Sequence, residues 1–164
     1  MTAAGAEKEL RDGFRERGYR VLRQRLQPAQ VDELDRLTAG WVAAREEPFE
    51  LESTVGYPGA PRPGGPGEGT VRRFLAVYQR DPAVQDWLLE SGLLGEIEAC
   101  LGGAPILSLA HHNCLMTKAP NHSSDTPWHR DLRYWSFTRG ELVTLWIPLG
   151  IERPARGGLW VVPG

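Results

Sequence analysis

The residues best suited to chemistry stand in the segment 126–131, where His129 and Asp131 are two positions apart. An imidazole nitrogen and a carboxylate oxygen are both common metal ligands. On a β-strand, side chains two residues apart project to the same face. The pair would therefore supply two of the three protein ligands of a 2-His-1-carboxylate iron site, with the third coming from elsewhere. Taken alone, His-x-Asp fits a polar pair on a surface strand better.

Three further histidines precede this pair: His111, His112 and His122. The first two fall in an extended segment and are expected to be hydrogen-bonded in or beside the core, whereas His122 lies in a polar loop and is expected to be exposed. A cupin-type metal site fits poorly, because a second histidine would be expected where Asp131 stands.

Composition narrows the class of protein. The chain has 164 residues, which is typical of one domain, and its net charge of −2 with a pI near 6.1 gives no basic footprint for nucleic acid. Cys100 and Cys114 lack Cys-x-x-Cys spacing, so neither a disulfide framework nor a structural zinc site is indicated. The sequence has no apolar leader and no run approaching the ~20 apolar residues of a membrane span. We expect a soluble, cytoplasmic protein that binds neither membranes nor nucleic acid.

The first two thirds of the chain read as helices with short extended pieces. Between residues 56 and 69, ten of fourteen residues are Gly or Pro, which predicts a loop, either a lid over a site or a surface excursion. Apolar spacing and end signals predict the remaining elements, with Trp41 in the core. The expected helices are residues 6–17, a helix from Pro28, one opening at Asp81-Pro82 and one closed by Gly102-Gly103; the expected strands are residues 19–22 and 71–78.

After Pro105 the pattern becomes that of strands separated by turns. Val143, Leu145 and Ile147 share one face of one of them. Several strands in about sixty residues predict an antiparallel sandwich or barrel. The candidate strands are residues 106–118, 126–131, 141–149 and 159–162.

The order and spacing of several motifs resemble the phytanoyl-CoA dioxygenase-like Fe(II)/2-oxoglutarate oxygenases. More loosely, Gly18-Tyr19-Arg20-Val21-Leu22 resembles the family's N-terminal opening, so the resemblance runs nearly end to end. The matching motifs are Lys118-Ala119-Pro120, Thr126-Pro127-Trp128-His129-Arg130-Asp131, Tyr134-Trp135, Leu145-Trp146-Ile147-Pro148-Leu149 and Gly157-Gly158-Leu159-Trp160-Val161-Val162-Pro163-Gly164.

This resemblance implies a mostly β fold with flanking helices, the front portion of a double-stranded β-helix, or jelly roll. Residues 1–164 would form one oxygenase-like domain, with N-terminal helices, strands and the Pro/Gly loop in 1–104 and the first jelly-roll strands in 105–164. His129 and Asp131 would bind Fe(II), and Lys118 and Trp135 would line the 2-oxoglutarate pocket. An ammonium beside a dicarboxylate forms charge-assisted hydrogen bonds. The implied reaction consumes O2 and 2-oxoglutarate, yields succinate and CO2, and hydroxylates a small organic substrate.

In the family, the Pro-Gly found at residues 163–164 is usually followed by Ser-His and later by the distal iron-binding histidine and a co-substrate arginine. The sequence therefore predicts an incomplete, C-terminally truncated domain. Two interpretations stay open: a truncated or fragmentary oxygenase, or a catalytically inactive remnant or binding module that keeps the front half of the fold. Ligands borrowed across a dimer interface are a third, less supported, possibility.

Overall fold

The structure, a computed structural model, describes residues 3–110 and 112–164. Within these residues helices dominate the first hundred positions and extended chain the last fifty. In chain order the elements are α1 (Ala3–Arg17), α2 (Pro28–Ala44), β1 (Phe49–Leu51), β2 (Val71–Leu75), α3 (Val77–Arg80), α4 (Pro82–Glu90), α5 (Leu93–Leu101) and β3 (Cys114–Met116), with 3-10 turns at Glu52–Thr54, Asp131–Tyr134 and Pro154–Arg156.

The helix ends are set by local chemistry, as the sequence predicts. Pro28 opens α2, where its missing N–H costs no hydrogen bond, and the Gln30 side chain accepts from the Gln27 N–H at 3.0 Å. At α4, Asp81 Oδ1 accepts from the Ala83 N–H at 2.8 Å. Gly102 ends α5 in the left-handed conformation, φ 77°. All four predicted helices are confirmed.

The hydrophobic core is built by α2, α4, α5 and the middle of β2. Phe74 of β2 is completely buried, and Trp41 of α2 is buried as predicted. The Arg80 guanidinium lies over the rings of Trp41 and Phe74, 5.3 and 5.5 Å from their centroids, and closes one side of the core. The buried apolar residues that form this core are Leu34, Trp41, Phe74, Val84, Trp87 and Leu93.

In the described residues the strands form one antiparallel sheet, in the order β1-β2-β3. Side chains alternate along β2, so Arg72 and Phe74 are buried while Arg73 faces the opposite side, in register with Glu50. The sheet thereby separates two neighbouring arginines onto two faces. Thr117, just after β3, donates its N–H to the Arg72 carbonyl at 2.9 Å and continues the pairing by one residue.

The expectation of a mostly β jelly roll is wrong. Residues 117–164, all of which the structure describes, contain no strand, and the described residues of the segment 106–118 form a strand only at Cys114–Met116. Residues 19–22 are not a strand either, and β2 ends at Leu75, before α3. The reason is that a strand requires hydrogen-bonded neighbours. The alternating pattern sets which side chains turn inward, but in residues 117–164 no described segment supplies the ladder.

The alternation of apolar and other side chains nevertheless accounts for the packing of residues 145–149. Leu145, Ile147 and Leu149 are partly buried against the core, whereas the intervening Trp146 and Pro148 are exposed. The predicted shared inward face of Leu145 and Ile147 is therefore confirmed, without the predicted strand. Side-chain packing alone holds this segment on the α/β core.

Candidate metal-binding pair

His129 has a defined ring orientation. Its Nδ1 lies 2.7 Å from the Pro127 carbonyl oxygen, and because a carbonyl only accepts, Nδ1 must carry the proton of this hydrogen bond. In the neutral ring the lone pair is then on Nε2. Metal-binding histidines typically donate their other N–H to a carbonyl or carboxylate in this way.

Asp131 begins the 3-10 turn Asp131–Tyr134, and its carboxylate faces the imidazole. Oδ1 lies 3.2 Å from His129 Nε2, and Oδ2 accepts a hydrogen bond from the Thr144 hydroxyl at 2.6 Å. The side chains of His129 and Asp131 are 22% and 26% exposed, so both are accessible without being fully solvated. The two residues meet because extended chain passes into a turn, not because they share the face of a strand.

The facing atoms suit a shared cation. A lone pair on Nε2 and a carboxylate oxygen at 3.2 Å repel each other unless a proton or a metal ion lies between them. Two ligands of one metal ion, each bonded at about 2.1 Å and at right angles, lie about 3 Å apart. The separation in the structure therefore fits metal coordination by this pair.

His112 also approaches the carboxylate, which the sequence did not indicate. Its Nδ1 lies 3.9 Å from Asp131 Oδ2, and its ring lies 5.8 Å from Tyr134 and 5.6 Å from Trp135. In the described part of the chain, however, no group of three or more His, Cys, Asp or Glu residues could hold a metal ion. The described structure thus supplies two candidate ligands, and the prediction for His111 lies outside the described residues.

The two predicted co-substrate residues lie in different surroundings. The Lys118 ammonium donates to the Ser124 carbonyl at 2.8 Å, and its aliphatic stem packs on Gly157, where a Cβ would come within 3.0 Å of Lys118 Cγ. Trp135 directly follows the turn that begins at Asp131, and its ring stacks on Phe137 at 4.9 Å. Trp135 is therefore part of the surroundings of the His129–Asp131 pair, whereas Lys118 is anchored to the loop that precedes it.

The Gly/Pro-rich loop reaches the candidate site through Tyr57. The hydroxyls of Tyr57 and Tyr134 are 3.5 Å apart, and the Tyr134 ring meets the His129 ring edge-on at 5.3 Å. The hydrogen bond to Tyr57, together with burial, raises the pKa of Tyr134 above its ordinary value of 10. His122, in contrast, packs against Gly67 and is half-buried, so the prediction of an exposed loop histidine is wrong.

Sequence reasoning missed a buried polar cluster behind the pair. Glu52, Arg72 and Ser124 have exposed fractions of 0%, 5% and 1%, and Thr126 lies at the edge of the cluster. These residues are far apart in the sequence and belong to no motif. Only one sequence signal could have pointed to this cluster: Arg72 stands in a strand whose other residues are mostly apolar.

Comparisons with known proteins relate nearly the whole chain to one family. Residues 14–164 match the family model described as Phytanoyl-CoA dioxygenase (PhyH), and this range includes Lys118, His129, Asp131 and Trp135. No curated protein and no solved structure matches the chain. Of the helices that the structure describes, none is long and apolar enough to cross a membrane.

Proposed function

Because the chain belongs to the phytanoyl-CoA dioxygenase family, we propose that it is an Fe(II)- and 2-oxoglutarate-dependent dioxygenase that hydroxylates a small organic substrate. Iron, O2 and 2-oxoglutarate supply the oxidising chemistry when bound, and the protein holds and orients them. Residues 1–164 would act as one oxygenase-like domain, in which the α/β core supports the extended segment that carries the metal ligands.

The observation that carries the proposal is the approach of His129 Nε2 to Asp131 Oδ1, 3.2 Å apart, with the proton of the ring directed to Pro127. The hydrogen bond to Pro127 keeps Nε2 available as a ligand. Thr144 holds the second carboxylate oxygen, which leaves Oδ1 for the metal. Both outer partners are of the kind that orients metal ligands in proteins.

The roles of Lys118 and Trp135 belong to the same proposal. Lys118 is an exposed residue whose ammonium bonds only a neutral carbonyl among the contacts described, so a carboxylate of 2-oxoglutarate would be a stronger acceptor for it. Trp135 would form an apolar wall beside the metal. Family membership and the exposure of Lys118 support this assignment.

Anaerobic titration with Fe(II), followed by succinate formation from 2-oxoglutarate under O2, tests the proposal. We expect the wild-type protein to bind Fe(II), and His129→Ala and Asp131→Ala to weaken binding by at least about 100-fold, more than the loss of an outer partner costs. His122→Ala is the matched control, because this histidine packs against Gly67 and none of its described contacts is with the pair.

Equal Fe(II) affinity in the wild type and His129→Ala would refute the assignment of the ligand pair. Fe(II) binding that depends on His129 but yields no succinate would refute the enzymatic part. That second result would favour the alternative interpretation, an inactive binding module.

A further inference from the structure

One buried arginine on β2 joins two other segments of the chain. Arg72 Nη1 donates to Glu52 Oε2 at 3.2 Å and to Ser124 Oγ at 2.6 Å, and its Nη2 donates to Thr126 Oγ1 at 3.1 Å. The Ser124 hydroxyl in turn donates to Glu52 Oε2 at 2.6 Å. The guanidinium fork thus joins β2 to the turn after β1 and to the segment that leads to His129.

Stability alone explains this cluster poorly. A buried ion pair loses the hydration of both charges, and apolar side chains of similar size often stabilise a fold as well or better. Glu52 Oε1 is buried and accepts no hydrogen bond from the described residues, which adds to the cost. What the fork supplies, and apolar packing would not, is a fixed direction for each of its partners.

Two routes lead from Arg72 to the metal-binding pair. Along the chain, Thr126 stands three residues before His129, and the Ser124 carbonyl is the acceptor of the Lys118 ammonium. Through space, the Arg72 guanidinium lies over the Tyr57 ring at 4.8 Å. Tyr57 then contacts the hydroxyl of Tyr134, whose ring packs on His129, as described above.

We propose that Arg72, held in place by Glu52, is a positioning residue for the metal-binding pair. It touches neither ligand, but it fixes the backbone of residues 124–126 and the Tyr57 side chain, and so sets the approach of His129 to Asp131. The inference rests on the proposed function, because it concerns the affinity of the same site for metal.

The adjacent residue offers a matched control. Arg73 makes a two-pronged ion pair with Glu50, at 2.7 and 2.9 Å, on the opposite face of the same strand. Lysine in place of either arginine keeps the positive charge, but a single ammonium cannot reproduce the fixed fork. Arg72→Lys and Arg73→Lys therefore make the same chemical change, and only Arg72→Lys alters a side chain connected to the site.

Co(II) titration, followed by the visible absorption of the bound ion, tests the proposal. We expect Arg72→Lys to raise the Co(II) dissociation constant by about 10-fold or more, the usual effect of losing an outer partner of a metal site, and to change the absorption spectrum. Arg73→Lys should stay within about twofold of the wild type with an unchanged spectrum, because Arg73 and Glu50 lie on the opposite face of the strand from Arg72.

Wild-type Co(II) affinity and spectrum in a folded Arg72→Lys protein would overturn the inference, as would an equal loss in Arg73→Lys. Should Arg72→Lys fail to fold, Thr126→Val tests the inference instead. It removes only the hydroxyl that accepts from Arg72 Nη2, and Thr126 is exposed. Weaker Co(II) binding in Thr126→Val supports the inference and unchanged binding refutes it. If wild-type and His129→Ala proteins bind Co(II) equally, the proposed function itself fails.

Discussion

Residues 3–104 and residues 105–164 contain similar kinds of apolar side chains but bury them very differently. In the part of the chain that the structure describes, every buried apolar residue lies between Leu34 and Cys100. Most exposed large apolar side chains follow residue 105, among them Ile106 at 95%, Trp128 at 66% and Trp160 at 64%. Helices complete their backbone hydrogen bonds locally, so their apolar faces are free to pack. Apart from β3, which pairs with β2, the extended segments after residue 105 have no described strand partners and bury only single rows of side chains.

The same division separates the candidate metal ligands from the residues that stabilise the fold. The candidate metal ligands lie in the weakly packed region, and side chains from the packed region reach them through Arg72 and Tyr57. Under the proposed function, the first region would act as a scaffold and the second would carry the chemistry. Substitutions in the first region should therefore change mainly the free energy of unfolding, and substitutions in the second region mainly the affinity for metal.

The largest contrast should come from removing an aromatic ring in each region. Phe74→Ala empties a completely buried site and should lower the free energy of unfolding by about 3–5 kcal/mol, because it leaves a cavity in the core. Trp160→Ala, at a residue that is 64% exposed, should change it by less than about 0.5 kcal/mol. Urea unfolding followed by circular dichroism measures both. A large loss in Trp160→Ala would show that the second region is tightly packed and would remove the contrast between the two regions.

A smaller effect should separate two threonine hydroxyls. Thr144 donates to Asp131 Oδ2 at 2.6 Å, whereas Thr38 donates to the backbone carbonyl of Asp35 within α2, at 3.0 Å. Thr144→Val should weaken Fe(II) or Co(II) binding by about 10-fold and leave the unfolding free energy nearly unchanged, because the hydroxyl orients a ligand at the surface. Thr38→Val should leave metal affinity unchanged, and calorimetric titration compares the two. Equal metal affinities of Thr144→Val and the wild type would show that Thr144 does not orient a metal ligand.

The smallest effect concerns alkaline pH at the boundary of the two regions. Burial raises the pKa of the Cys114 thiol in β3 above its ordinary value of 9.0, although Arg73 partly opposes this shift. Because the folded state favours the neutral thiol, its contribution to stability is complete below pH 9 and is lost as pH rises through the raised pKa. Cys114→Ala should therefore lose less unfolding free energy between pH 8 and pH 10 than the wild type. An identical loss in both proteins, measured by urea unfolding, would contradict this.

Local sequence signals sufficed wherever structure is completed within a few residues. Pro28, Asp81 and Gly102 mark helix ends that the structure reproduces, and the apolar spacing correctly placed Trp41 in the core. The inward side of Leu145 and Ile147 was predictable for the same reason, since alternation is a property of extended chain. The pairing of extended segments was not predictable, because it depends on partners distant in sequence, and the jelly-roll expectation failed there.

By itself, the sequence determined the family, the helices and the identity of the candidate ligands His129 and Asp131, because residue types and short spacings carry that information. Only the tertiary structure decided what surrounds the ligands. It brought Glu52, Arg72 and Ser124 together across 72 residues of sequence and placed His112 and Thr144 beside Asp131. Such contacts arise from packing between segments, which no local pattern records, and they form the surroundings of the candidate metal-binding pair.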